Sequence, residues 1–256
     1  MDVSQKAIFI SNWIKDYVNS MPKKAKSLVI GVSGGIDSSV SSTLSAMTGL
    51  RTIVLSMPIK QKAEQHDLSQ KHKEWLKNKF SNVEGYTLEL DDVFKSFENT
   101  LAKFENEHGM ANSRARLRMT TLYQVAAANS GIVVGTGNKV EDFGVGFYTK
   151  YGDGGVDISP IADCNKSQVW AIGKELGILE EIQMAEPTDG LWSDGRTDTD
   201  QLGMSYKEIE HLMSRPDEPG YEKYLAIRKK NLHKMKPIPV CKFDGKDTLD
   251  TDQKET

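Results

Sequence analysis

Four short apolar runs punctuate the first half of the chain, at residues 27–32 (SLVIGV), 52–56 (TIVLS), 85–90 (GYTLEL) and 131–135 (GIVVG). Their near-continuous hydrophobicity and β-branched content predict strands covered on both faces, as in a parallel sheet. Between them the apolar period lengthens to that of a helix. The opening segment carries Ile10, Trp13, Ile14, Tyr17 and Val18 on one stripe, and further helical patterns run over about 62–80, 93–107 and 112–129. Strands and helices in alternation predict right-handed crossovers and an α/β fold, a doubly wound, mostly parallel sheet with helices on both faces. Such sheets bind ligands beyond the carboxyl ends of their strands.

The second half is less regular. Five glycines fall within 144–157, and 188–203 mixes Gly, Asp and Thr without a period; helical patterns over 165–176 and 221–234 bracket the second of these stretches. Loops of that length in a compact domain are functional lids or disordered segments. The chain reads as one domain over 1–244 followed by a polar tail, 245–256. Composition narrows the class. With 38% apolar and 27% charged residues the chain matches an ordinary globule, and 33 basic against 36 acidic residues give no overall field to hold a nucleic acid. No apolar run approaches a membrane span, and the start MDVSQKAIFISNW lacks the basic, apolar and small-residue succession of an export signal. Two cysteines, Cys164 and Cys241, make neither a disulfide framework nor a structural zinc site, so a cytoplasmic protein is expected.

The chemistry concentrates just after the first run, in Gly31-Val32-Ser33-Gly34-Gly35-Ile36-Asp37-Ser38-Ser39. Glycines without a Cβ permit a tight turn and close approach of a ligand. The helix that follows offers unsatisfied amides and the positive end of its dipole, which suits a phosphate. Ser33 and Ser38 add hydroxyls. A Walker A loop would end in Lys-Ser/Thr, and a dinucleotide fingerprint would read G-x-G-x-x-G; neither occurs here. A bare carboxylate beside phosphates repels them, so Asp37 makes sense with magnesium between, an ion that takes one or two carboxylates plus phosphate oxygens. The segment S-G-G-I-D-S resembles the pyrophosphate-binding loop of the ATP-pyrophosphatase superfamily, whose members adenylate a substrate and expel pyrophosphate.

Further segments select among those members: G-T-G-N-K-V-E (135–141), F-Y-T-K-Y-G-D-G-G-V-D (147–157), N-K-S-Q-V (165–169), Pro187-Thr188 and His233-Lys234. In order and spacing the set resembles the ammonia-dependent NAD synthetases, from about residue 5 to 243. The residues alone allow Glu141 either as a surface acid or as a partner of Asp37 across a magnesium ion, and Lys166 as a helix-start lysine or a neutraliser of phosphate charge. Arg114 and Arg118, four apart, share a helix face that Arg116 leaves. By itself this is a basic solvated face, and the lone His233 a packed or surface residue. The resemblance implies more. Gly31, Val32, Ser33, Gly34, Gly35, Ile36, Asp37, Ser38, Thr136, Lys166 and Thr188 would bind ATP; Asp37 and Glu141 would hold the metal; Arg116, Lys150, Asp157, His233 and Lys234 would contact deamido-NAD. It further implies a homodimer with the substrate at its interface, for which the opening helix and the 114–129 helix are candidate surfaces. The reaction expected is amidation of deamido-NAD with ATP and ammonia, giving NAD, AMP and pyrophosphate, with Asp37, Glu141 and Lys166 carrying the chemistry. No room for an amidohydrolase domain points to free ammonia rather than glutamine as the direct donor, unless a separate subunit delivers it. Where the family commonly continues Pro-Thr with Ala-Asp-Leu, this chain has Asp189-Gly190-Leu191-Trp192. A tRNA thiolase would need a cysteine pair that Cys164 and Cys241 do not obviously supply, and a non-catalytic nucleotide sensor would have little use for Lys150 and Asp157. The basic run ending at Lys236 lacks interleaved aromatics for base stacking.

Overall fold

The computed structural model describes residues 1–60, 63–188, 190–192, 197–241 and 243; Asp189 and the tail at 245–256 lie outside them. Helix α1 (Val3–Ser20) begins with a capping box, Asp2 accepting from the Gln5 N–H while Gln5 accepts from that of Asp2. Strands β1 (Ser27–Gly31), β2 (Thr52–Ser56), β3 (Val83–Thr87) and β4 (Gly131–Val133) are then joined by α2 (Ile36–Met47), α3 (Ala63–Lys79), and the pair α4 (Asp91–Thr100) and α5 (Glu107–Ala128). All pairings are parallel and the order is β3-β2-β1-β4. The expected doubly wound sheet is therefore what forms. Its strand order reverses between β1 and β4, so a crevice opens at the carboxyl ends of those two strands.

β1 is the centre of the core. Leu28 and Ile30 point into a cluster with α1, α2 and helix α6 (Lys166–Glu175), while Val29 between them points to the α4 and α5 side. All three are fully buried, and each contributes about 2 kcal/mol by leaving water. After β4 come a π-helical turn, Val140–Val145, then α6, α7 (Glu180–Met184), α8 (Asp198–Leu202), α9 (Tyr206–Leu212) and α10 (Tyr221–Met235). A smaller apolar cluster packs Val140 and Val145 of the π turn against Ile209 and Leu212 of α9 and Tyr224 of α10.

Four expectations shift. The third strand ends at Thr87, not 90: Leu88 and Leu90 still donate to Ser56 and Pro58, but Leu90 already caps α4. The fourth ends at Val133, because Val134 bridges to Ile158. The pattern over 93–107 divides into α4 and a 3₁₀ turn, Ala102–Phe104, since Asn106 accepts from the Gly109 N–H and so starts α5 five residues early. On α1, Ile10, Ile14 and Val18 are buried as expected, whereas Trp13 and Tyr17 are 41% and 38% exposed. Helices α7, α8 and α9 lie where no period was legible.

Candidate active site

Between β1 and α2 the chain turns through Gly34, whose φ of +89° is the left-handed region that favours glycine. The serines of the loop fix its shape. Ser38 Oγ accepts from the Ser33 N–H (3.2 Å) and donates to the Gly35 carbonyl (3.0 Å), and Ser33 Oγ accepts from the Gly35 N–H (3.3 Å). Gly35 caps α2 without a side-chain bond, so the first-turn amides remain for an anion.

Opposite this loop three charges meet. The π turn brings up Glu141, and α6 starts at Lys166 behind a capping box formed by Asn165 and Gln168. Lys166 Nζ donates to Asp37 Oδ2 (2.5 Å) and Glu141 Oε1 (2.9 Å), with the lysine side chain only 3% exposed. Burial opposes its charge, but the Asp37 and Glu141 carboxylates outweigh that and raise its pKa, so it stays an ammonium. Asn138 ties the cluster to the backbone: its amide donates to Asp37 Oδ1 (3.0 Å), and its oxygen accepts from the N–H groups of Val140 (3.0 Å) and Glu141 (3.1 Å). Tyr206, at the start of α9, places its hydroxyl within reach of Glu141 Oε1 (2.6 Å) and Asp198 Oδ2 (2.8 Å), which share its one proton. Its burial and these two carboxylates push the phenol far above its usual pKa, which keeps it a donor.

A cleft of about 280 Å³ lies over this arrangement. It is lined by all of residues 31–38 and by Thr136, Glu141, Lys166 and Thr188, so the positions assigned to nucleotide come together on one surface. Those assigned to deamido-NAD do not line it. Arg116 is exposed and donates to the Lys150 carbonyl (3.3 Å), while Lys150 Nζ lies over the Tyr151 ring at 5.6 Å. Asp157 accepts from the Val133 N–H (2.7 Å) and the Tyr123 hydroxyl (3.1 Å). Lys234 donates to the Tyr148 carbonyl (2.7 Å), and its neighbour His233 is exposed.

Several residues in or behind the cleft escape sequence reasoning. Arg118 lines it and donates to the Met57 carbonyl (3.0 Å), while Arg114 holds the Leu191 carbonyl (2.5 Å). Asp142 also lines it; burial, then the charges of Glu141, Asp153 and Asp37, push its pKa up to about 8. Its carboxyl lies against Gly137, where a Cβ would sit 2.2 Å from an Asp142 oxygen. Asn138, Asp198 and Tyr206 complete this set. The one available signal was Asn138 two residues before Val140, an Asx-type start to a helical turn.

Two carboxylates bridged by an ammonium mark a place built for positive charge, and their oxygens suit a hard divalent ion. Among the described residues no group of three or more His, Cys, Asp or Glu could by itself hold a metal. Phosphate oxygens would have to complete the shell, as magnesium commonly requires.

Sheet, serine–glycine loop and acid–lysine cluster together define an α/β protein of the ATP-pyrophosphatase type. Comparison with known proteins narrows the class. The profile of the NAD synthase family matches residues 7–242. The NH(3)-dependent NAD(+) synthetase of Thermoplasma acidophilum is 37% identical over 82% of this chain and 88% of its own length. That of Saccharolobus solfataricus is 37% identical over 91% of this chain and 79% of its own. Among solved structures, an NMN synthetase from Francisella tularensis superposes with a TM-score of 0.87 at 32% identity, covering 95% of this chain and 100% of that one. The chain belongs to the NAD synthase family.

Proposed function

We propose that the protein is a ligase that amidates deamido-NAD with ammonia, consuming ATP and releasing AMP and pyrophosphate. The observation that carries this reading is the buried Asp37–Lys166–Glu141 cluster facing the phosphate-type loop across one cleft. The nicotinate carboxylate attacks the α-phosphorus of ATP, and pyrophosphate leaves. Ammonia then attacks the acyl-adenylate carbonyl, loses a proton, and expels AMP. No protein nucleophile is required, so rate comes from positioning and charge neutralisation. The 36–38 amides with Ser33 and Ser38 hold the β- and γ-phosphates, and Lys166 balances the charge that grows on the departing pyrophosphate. Thr136 and Thr188 orient the nucleotide from the other wall. Asp37 and Glu141 would hold magnesium, which when bound neutralises phosphate charge. Arg116, Lys150, Asp157, His233 and Lys234 lie outside this cleft and would bind the dinucleotide, with a second copy of the chain completing that surface. Ammonia as the donor agrees with the names of the relatives.

A second reading, amidation of the mononucleotide, is favoured by the full-length likeness to the Francisella tularensis NMN synthetase. Incubation with ATP, magnesium and ammonium chloride, supplied separately with deamido-NAD and with nicotinate mononucleotide, discriminates. NAD appearing with equimolar AMP, at a kcat/KM well above that for the mononucleotide, supports the first reading. The reverse preference establishes the second, and ATP binding without AMP from either acid removes both.

A further inference from the structure

Helix α9 touches both halves of the charge cluster. A capping box of Ser205 and Glu208 places Tyr206 on its first turn, and Ile209 and Leu212 bury its far side. One turn on, Glu210 accepts from the N–H (2.8 Å) and hydroxyl (2.7 Å) of Ser167, the residue after Lys166. Tyr206 itself is 6% exposed, and its ring lies beneath the ammonium of Lys166, 4.6 Å from the centroid, with Trp170 packed edge-on at 6.4 Å. Its hydroxyl and the Lys166 ammonium both land on Oε1 of Glu141, so Oε2 accepts no bond among the described residues. Asp198, 5% exposed, lies 2.8 Å from the same hydroxyl and shares its proton with Glu141, so the phenol oxygen sits between the two acids. The backbone of Asp198 also donates to the Pro187 carbonyl (3.1 Å), closing the base of the segment that carries Thr188.

We propose that Tyr206 is a positioning residue for this site: its hydroxyl, set between Asp198 and Glu141, fixes one oxygen of Glu141 so that the other faces an incoming cation, while its ring seats Lys166. The proposal rests on the reading that Asp37 and Glu141 receive a divalent ion with ATP. A carboxylate free to rotate would spend part of its time with neither oxygen correctly placed; one pinned at Oε1 is preorganised, and the benefit appears where the metal binds.

Tyr206→Phe removes one hydroxyl and keeps the ring under Lys166. The magnesium concentration that half-saturates ATP binding, measured by isothermal titration calorimetry, is expected to rise about tenfold, while ATP binding in EDTA stays within about twofold of wild type and unfolding remains cooperative. In a Glu141→Gln background the same substitution is expected to cost less than about twofold further in turnover, because the residue acts through Glu141. An unshifted magnesium requirement, or a full multiplicative loss in that background, overturns the proposal. A Tyr206→Phe chain that does not fold does so too, since the hydroxyl would then be a structural bond. Magnesium-indifferent ATP binding by the wild-type protein removes the metal reading instead.

Discussion

Lys166 is the residue on which the site turns. An ammonium this deeply buried is tolerated only because two carboxylates and the faces of two aromatic rings surround it. Lys166→Met would leave Asp37 and Glu141 facing each other without a counter-charge. Breaking a buried pair in this way costs about 3 kcal/mol or more. Burial, and then the charge of Glu141, already push the Asp37 pKa up against the pull of Lys166; without the ammonium it rises further, so the deficit relative to wild type grows with rising pH and shrinks as pH falls. Urea unfolding at about pH 7.5 and pH 5 measures both effects; an equal deficit at the two values would show that the carboxylates are not the cause. Asp37 was legible at this scale because its neighbours in sequence, a strand end and a glycine loop, are also its neighbours in space. Tyr206 and Asn138 were not, since each acquires meaning only from a carboxylate 65 or 101 residues away, nor was Asp198, whose partner is Tyr206.

Between elements, the contact of α2 with α3 carries a pH dependence of its own. His72 of α3 is fully buried, bonded through Nε2 to Ser42 of α2 (2.9 Å) and stacked on Trp75 at 5.5 Å. Burial lowers its pKa to about 4 from 6.5, so it is neutral in the folded protein at any pH above that range. The unfolded chain binds a proton first as pH falls, so stability is fully present above about 6.5 and declines toward 4. The loss by about pH 5 is on the order of 2 kcal/mol. His72→Asn should flatten that part of the stability curve, which denaturant titrations across pH 7 to 5 would reveal; a curve unchanged by the substitution would place the titrating group elsewhere. Strands β1 and β2 were readable from continuous apolar runs buried on both faces, and α1 from the periodic face it buries. Helices α7, α8 and α9, five to seven residues long, are too short for a period to register and are fixed instead by caps and by the π turn they pack against.

At the scale of the molecule, α1 carries an apolar surface left exposed among the described residues. Phe9, Trp13 and Tyr17 follow one another at four-residue steps on α1 and are 57%, 41% and 38% exposed, beside the buried stripe of Ile10, Ile14 and Val18. Contiguous exposed aromatics of this kind mark an interaction surface. In the proposed homodimer α1 would supply part of the interface, and Trp13→Glu is then expected to shift sedimentation velocity profiles from dimer to monomer. A wild-type chain that sediments as a monomer at about 10 μM, where a stable dimer would persist, would end that part of the reading. Among the described residues no helix is long and apolar enough to cross a membrane. The order of elements, the parallel sheet and the phosphate-type loop follow from local period and turn chemistry, which neighbouring residues impose on one another. Which acids meet Lys166, which oxygen of Glu141 is held, and which arginine of 114, 116 and 118 reaches the cleft were decided only when distant segments packed together. A side chain's electrostatic partner depends on distance through space, and the sequence records only distance along the chain.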